Sequence, residues 1–129
     1  MTSIQRLTPV EWEIMEAVWQ AKGQTTVRDI HSTLYPDGEK AYTTVMTIMN
    51  TLEKKGLLQR EKLGMVNFYV PRFTREDLVK NETQGFVSKV FHGSLPALAS
   101  YLIDSESLTL EEIQAMKETL DRKESELKG

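Results

Sequence analysis

Between about Ala41 and Lys55 the chain sets Thr43, Thr47, Asn50, Thr51 and Lys54 at intervals that a helix, turning about 100° per residue, gathers on one face. The opposite stripe is Val45, Ile48, Met49 and Leu52, at i, i+3, i+4 and i+7, and belongs in a core. The polar face holds short hydroxyls, one amide and a single charge. A helix face that only meets water carries mostly Glu, Lys, Arg and Gln, because threonine gives up helix propensity there without structural return. In the groove of a duplex the same residues have a use. Short hydroxyls and amides reach base edges and phosphates, and a threonine methyl can touch the methyl of thymine. The face therefore reads as a surface for DNA.

Other chemistry finds little support. The chain has no cysteine, which removes disulfides, thiol catalysis and thiolate metal sites together. His31 and His92 are the only imidazoles, and neither has a second ligand at useful spacing, so both read as structural residues. No nucleophile stands with a base, no glycine loop suits a phosphate, and no carboxylates pair between turns. The expectation is a protein that is not an enzyme and holds neither metal nor other cofactor. No run approaches the roughly 18 apolar residues of a membrane helix, and the N-terminus lacks the order of a signal peptide. A cytoplasmic protein with no membrane partner is expected.

The elements that must carry the threonine face can be read on either side of it. Thr8-Pro9-Val10-Glu11 opens a first helix with a capping box and proline at N1, and Val10, Ile14, Met15 and Val18 follow at helical spacing up to about Gly23. Thr25 or Thr26 caps a short second helix with Val27, Ile30 and Leu34 inward, stopped by the turn Pro36-Asp37-Gly38. After Gly56, two β-runs flank Lys62-Leu63-Gly64, with Val66, Phe68 and Val70 alternating and Arg60 and Lys62 placed near the tip. Three helices followed by a basic-tipped hairpin is the order of a winged helix-turn-helix, whose third helix enters the major groove while the wing meets the backbone. The fold class expected is mainly α with a small β-hairpin: a winged-helix head over residues 1–73, then a helical dimerisation region over 74–129.

The second region begins at Thr74 and Asp77 with a long helix whose apolar stripe includes Phe86, Val87, Val90 and Phe91, ending at His92-Gly93. Leu95, Leu98, Ala99 and Leu102 make a shorter one. Thr109 and Glu112 form another capping box, opening a last helix with Ile113, Met116, Leu120 and Leu127 inward. Three amphipathic helices in so short a stretch cannot cover their own apolar faces, so a second copy of the chain is expected against them. The interface would take Phe86, Val90, Phe91, Leu95, Leu98, Leu102, Ile113, Met116 and Leu120. A twofold homodimer brings two reading helices to two half-sites. Charge agrees with this division. Residues 1–75 hold ten basic against eight acidic side chains, and residues 76–129 hold six against eleven, although the whole chain carries −3.

The stretch Ala41-Tyr42-Thr43-Thr44-Val45-Met46-Thr47-Ile48-Met49-Asn50-Thr51-Leu52-Glu53-Lys54-Lys55-Gly56-Leu57-Leu58 closely resembles the recognition helix of the penicillinase-repressor (BlaI/MecI-type) family. So do the opening Leu7-Thr8-Pro9-Val10-Glu11-Trp12-Glu13-Ile14-Met15 and the exit Phe68-Tyr69-Val70-Pro71, and the match runs without gaps into the tail. The resemblance implies a homodimeric transcriptional repressor on an inverted-repeat DNA operator with TACA/TGTA-like half-site cores. By position it assigns Thr43, Thr44, Thr47, Asn50 and Thr51 to bases and Lys40, Lys54, Arg60 and Lys62 to the DNA backbone. Many members carry Arg where Thr51 stands, and threonine cannot make the same bidentate contact. In the resistance members a regulatory protease relieves repression by cutting an Asn-Phe bond. Tyr101-Leu102 occupies that cleavage-equivalent position here, so the scissile pair is not preserved. The cysteine-rich metal site of copper-responsive relatives is excluded by composition. Two other readings share the fold: a winged-helix module for protein interaction, and a ligand-sensing winged-helix regulator of another family.

Overall fold

A computed structural model describes residues 6–129; the first five residues of the expected head lie outside it. Helix α1 spans Pro9–Gln20. Its start is the capping box expected: the Glu11 N–H donates to Thr8 Oγ1 (3.2 Å) and the Thr8 N–H donates to Glu11 Oε1 (2.8 Å). Ile14, Met15, Ala17 and Val18 form its buried side. The chain leaves the helix through Lys22 and Gly23, both at positive φ (51° and 115°). A lysine in that region carries a strain that glycine would not.

Helix α2, Val27–Leu34, is capped by Thr26, whose Oγ1 accepts the Asp29 N–H at 3.1 Å. Thr25, the other residue expected as a cap, is instead extended and pairs with Tyr69 through two backbone hydrogen bonds of 3.0 and 2.8 Å. Helix α3 covers Tyr42–Lys54 and closes with Gly56 in the left-handed region at φ 82°. Strands β1 (Leu58–Leu63) and β2 (Val66–Pro71) pair antiparallel from Leu58↔Pro71 to Leu63↔Val66.

These elements share one core. Ile14, Met15 and Val18 from α1, Val45, Met49 and Leu52 from α3, Leu57 and Leu58 at the entry to the wing, and Tyr69 from β2 are each at most 1% exposed. An aliphatic side chain buried so fully contributes about 1.5–3 kcal/mol relative to exposure. This core holds the hairpin, which would be marginal alone. Trp12 and Trp19 lie against the same cluster with ring centroids 6.0 Å apart, and the Trp19 indole N–H donates to the Phe73 carbonyl at 3.0 Å.

Helix α4, Arg75–Phe91, is opened by Thr74 and Asp77, which cap each other reciprocally. Its first turns belong to the head. Leu78 is fully buried in the head core and Glu82 Oε1 accepts the Leu7 N–H at 3.1 Å. The first compact unit accordingly extends to Gln84, past the boundary expected at residue 73, and the second is Gly85–Gly129. The second unit contains the end of α4, then α5 (Leu95–Ser105), capped by Ser94, and α6 (Leu110–Lys128), opened by the expected Thr109/Glu112 capping box. His92 and Gly93, at φ 51° and 83°, make the turn after α4. No residue of α5 or α6 is buried. The expected inward direction of Met116, Leu120 and Leu127 is thus not toward a core of this chain, because the helices are too few to enclose one.

Candidate nucleic-acid interface

The expected reading face is where α3 leaves the core. With Val45, Met49 and Leu52 locked inward, Thr43, Thr44, Thr47 and Lys54 are exposed and Asn50 and Thr51 are half-buried beside them. The hydroxyls are partly committed. Thr47 Oγ1 donates to the Thr43 carbonyl and Thr51 Oγ1 to the Thr47 carbonyl, each at 2.9 Å. Back-bonding of this kind uses the hydroxyl hydrogen within the helix and leaves the oxygen lone pairs and the γ-methyl as what the side chain can offer a partner. The stripe therefore presents methyl groups and acceptor oxygens, a surface complementary to a thymine methyl and to base donors.

A second face of the same helix went unread in the sequence. Tyr42, Met46 and Asn50 stand at i, i+4 and i+8, and Tyr42 and Met46 are substantially exposed. Together with Thr26, Arg28 and Asp29 at the start of α2 and Arg60, Met65, Asn67 and Tyr69 from the hairpin, they line a cleft of about 520 Å³ between α2, α3 and the wing. The helical spacing was visible; the neighbour that makes a cleft of it was not.

At the floor of the cleft, the Tyr69 hydroxyl donates to Asn50 Oδ1 at 2.8 Å. Burial holds this phenol above its ordinary value of 10.0, although the Arg60 guanidinium opposes the shift both as a charge and as a hydrogen-bond donor. Arg60 is not near the wing tip. It faces Tyr69 across the ladder in mid-strand, 3.6 Å from Glu53 on α3. Lys62, opposite Asn67, is exposed and closer to the turn. The tip itself is apolar: Leu63, Met65 and Val66 are exposed, Met65 to 93%. The expected basic tip is corrected for Arg60, which the register puts in mid-strand, while Lys62 stays one pair from the turn. Lys40 is half-buried with its Nζ 5.7 Å from the centre of the Tyr35 ring, a cation–π distance.

Two residues set the attitude of α3 without lying on its exposed face. Lys55 Nζ reaches both oxygens of Glu11 at 2.8 Å, joining the C-terminus of α3 to the N-terminal capping box of α1. Burial favours the neutral form of Glu11, but the hydrogen bonds from Lys55 and Thr8 and the Lys55 charge outweigh it and hold the carboxyl below its ordinary 4.5. The last-turn pair Lys54-Lys55 thus divides: Lys54 faces solvent and Lys55 is internal. His31 makes a structural contact, its Nε2 lying 2.7 Å from the Lys40 carbonyl and its ring packed edge-on against Tyr42.

In the second unit the residues expected at a dimer interface are open on the single chain. Phe86, Val90, Leu95, Leu102, Met116 and Leu120 are exposed, while Phe91, Leu98 and Ile113 are half-buried. Phe91 links Phe86 and Tyr101 in a short aromatic row, with centroids 5.8 and 6.1 Å apart. Tyr101 and Leu102 are both exposed in the middle of α5, so their peptide bond is helical. Among the described residues no helix is long and apolar enough to cross a membrane, and no His, Asp and Glu cluster could hold a metal ion.

The penicillinase repressor family model matches residues 7–122 of this chain. Over 117 residues the chain is 24% identical to the methicillin resistance regulatory protein MecI of Staphylococcus aureus (strain N315), covering 91% of this chain and 94% of that protein. It is 24% identical over 121 residues to the penicillinase repressor of Bacillus licheniformis, covering 94% of each. The solution structure of monomeric Bacillus licheniformis BlaI in complex with the blaP half-operator superposes with a TM-score of 0.50 at 26% identity, over 60% of this chain and 93% of that one. With a family match over nearly its whole length and a winged-helix head of the same architecture, this chain belongs to the penicillinase repressor family.

Proposed function

We propose that the protein is a sequence-specific DNA-binding transcriptional repressor that works as a homodimer on an inverted-repeat operator. The observation that carries this reading is the exposed threonine stripe of α3, uncharged except at Lys54 and backed by a buried core. A solvated helix would not spend its outer face on threonine. In this reading α3 lies in the major groove, with Thr43, Thr44, Thr47, Asn50 and Thr51 toward base edges. Lys40, Lys54, Arg60 and Lys62 approach phosphates. The half-operator complex of the Bacillus licheniformis relative supports one head for each half-site, and the open apolar faces of α5 and α6 support pairing through the tail. TACA/TGTA-like half-site cores are the sequences to try first.

Operator selection with the full chain tests the reading. A defined inverted repeat is expected, with Thr47→Ala weakening binding to it by about 1–3 kcal/mol while nonspecific affinity changes little. Selection that returns no enriched sequence at any salt concentration would remove the proposal. Equal losses on specific and nonspecific DNA would take Thr47 out of the base-reading set.

A further inference from the structure

An unrestrained asparagine in the major groove pairs best with adenine, whose N6 donates to the side-chain carbonyl and whose N7 accepts from the amide. Asn50 is restrained. Its Oδ1 accepts the Tyr69 hydroxyl at 2.8 Å, and it is half-buried in the wall of the cleft. Tyr69 in turn has little freedom. It is 1% exposed, and Thr25 holds its backbone N–H and carbonyl. Arg60 stands directly across the ladder, and its positive charge acts on the phenol. The phenol has one proton to give, and it goes to Asn50 Oδ1. Oδ1, with one lone pair taken, is held toward Tyr69, whereas both N–H donors of Nδ2 stay open, so the amide presents itself chiefly as a donor.

We infer that Tyr69 is a specificity-positioning residue: its hydroxyl turns Asn50 from a two-way reader into a donor, so that the base pair facing Asn50 is selected for acceptors. Guanine, with N7 and O6, suits such a reader better than adenine. The inference rests on the DNA-binding reading above and adds which base chemistry one position of the half-site prefers. A purely structural Asn50–Tyr69 bond would give stability and no base preference.

Operator selection on the full chain, comparing wild type with three variants, separates these roles. Asn50→Ala is expected to flatten the preference at one base pair per half-site, which identifies the pair concerned. At that pair Tyr69→Phe, which keeps the ring and removes the hydroxyl, is expected to raise adenine over guanine by about tenfold while other positions hold. Asn50→Asp keeps an acceptor for Tyr69 but has no N–H, and is expected to lose the guanine preference in favour of cytosine, whose N4 donates. This variant decides the matter if Tyr69→Phe folds poorly. An unchanged base at that pair in either variant overturns the inference, as does a loss spread evenly over all positions or the lack of any flattened pair in Asn50→Ala. If wild type selects no sequence, the DNA-binding reading fails and this inference with it, an outcome distinct from wild-type selection that the variants leave unaltered.

Discussion

In the first unit, α1, α2, α3 and the hairpin enclose side chains such as Ile14, Met49, Leu52 and Tyr69 almost completely, whereas in the second unit α5 and α6 bury none of theirs. Both regions are built from amphipathic helices with well-formed caps. The contrast teaches that amphipathicity fixes which face must be covered and not what covers it. In the head the cover is local: the hairpin and the first turns of α4 close over the helices, with Leu78 and Tyr69 as the closing pieces. In the tail Val87 alone is buried and most apolar side chains stay open, which is the physical ground for proposing a second copy.

If that contrast is right, truncating a core residue of the head should unfold it, while the same kind of change in the tail should act on association. Leu52→Ala is expected to cost about 4 kcal/mol, because a fully buried leucine leaves a cavity. Chemical denaturation of the full chain measures this, and a loss under 1 kcal/mol would mean that the core is looser than described. Next in size is Lys55→Met, which strands the Glu11 carboxylate in a buried site at a cost of about 3 kcal/mol. The same pair has a pH signature. A carboxyl held below 4.5 in the folded state contributes its full stability above 4.5 and loses it as the pH falls through the lower folded value. Acid denaturation of Glu11→Gln should therefore show a shallower decline below pH 4.5 than wild type.

Leu120→Glu should leave the unfolding of the head nearly unchanged and shift sedimentation from dimer to monomer, since it places a charge on a face proposed to be covered. A variant that remains dimeric would move the interface off α6. The smallest effect is expected for Lys62→Ala, which should lower the salt dependence of operator binding by about one unit in the log–log slope. An identical slope would take β1 out of the phosphate footprint.

Much of this was legible in the chain. Capping boxes at Thr8 and Thr109 need only local spacing, and the α3 stripe declares itself through Val45, Met49 and Leu52 against Thr43 and Thr47. What escaped depends on register and distance. The charges of Arg60 and Lys62 were legible, but pairing Arg60 with Tyr69 required the turn to be fixed at Gly64. Lys55 looked like an ordinary cation at a helix C-terminus until its partner Glu11, 44 residues earlier, came within reach. A head boundary at residue 73 falls where the character of the sequence changes. The packing of Leu78 and Glu82 carries it to Gln84, because a helix can begin in one unit and end in another.

The backbone pairing of Thr25 with Tyr69 has one more consequence. It covers the outer side of β2 at one residue, whereas among the described residues no strand or bridge covers the outer side of β1. An open edge invites another strand to add to it, and chains with apolar edges aggregate by that route. Here the middle of the edge is Gln59, Arg60, Glu61 and Lys62, all exposed. Two of the cations proposed to approach DNA therefore also guard the molecule against self-association as fibres. A wing redesigned for a new operator by replacing them with apolar residues would risk its solubility before it altered its specificity.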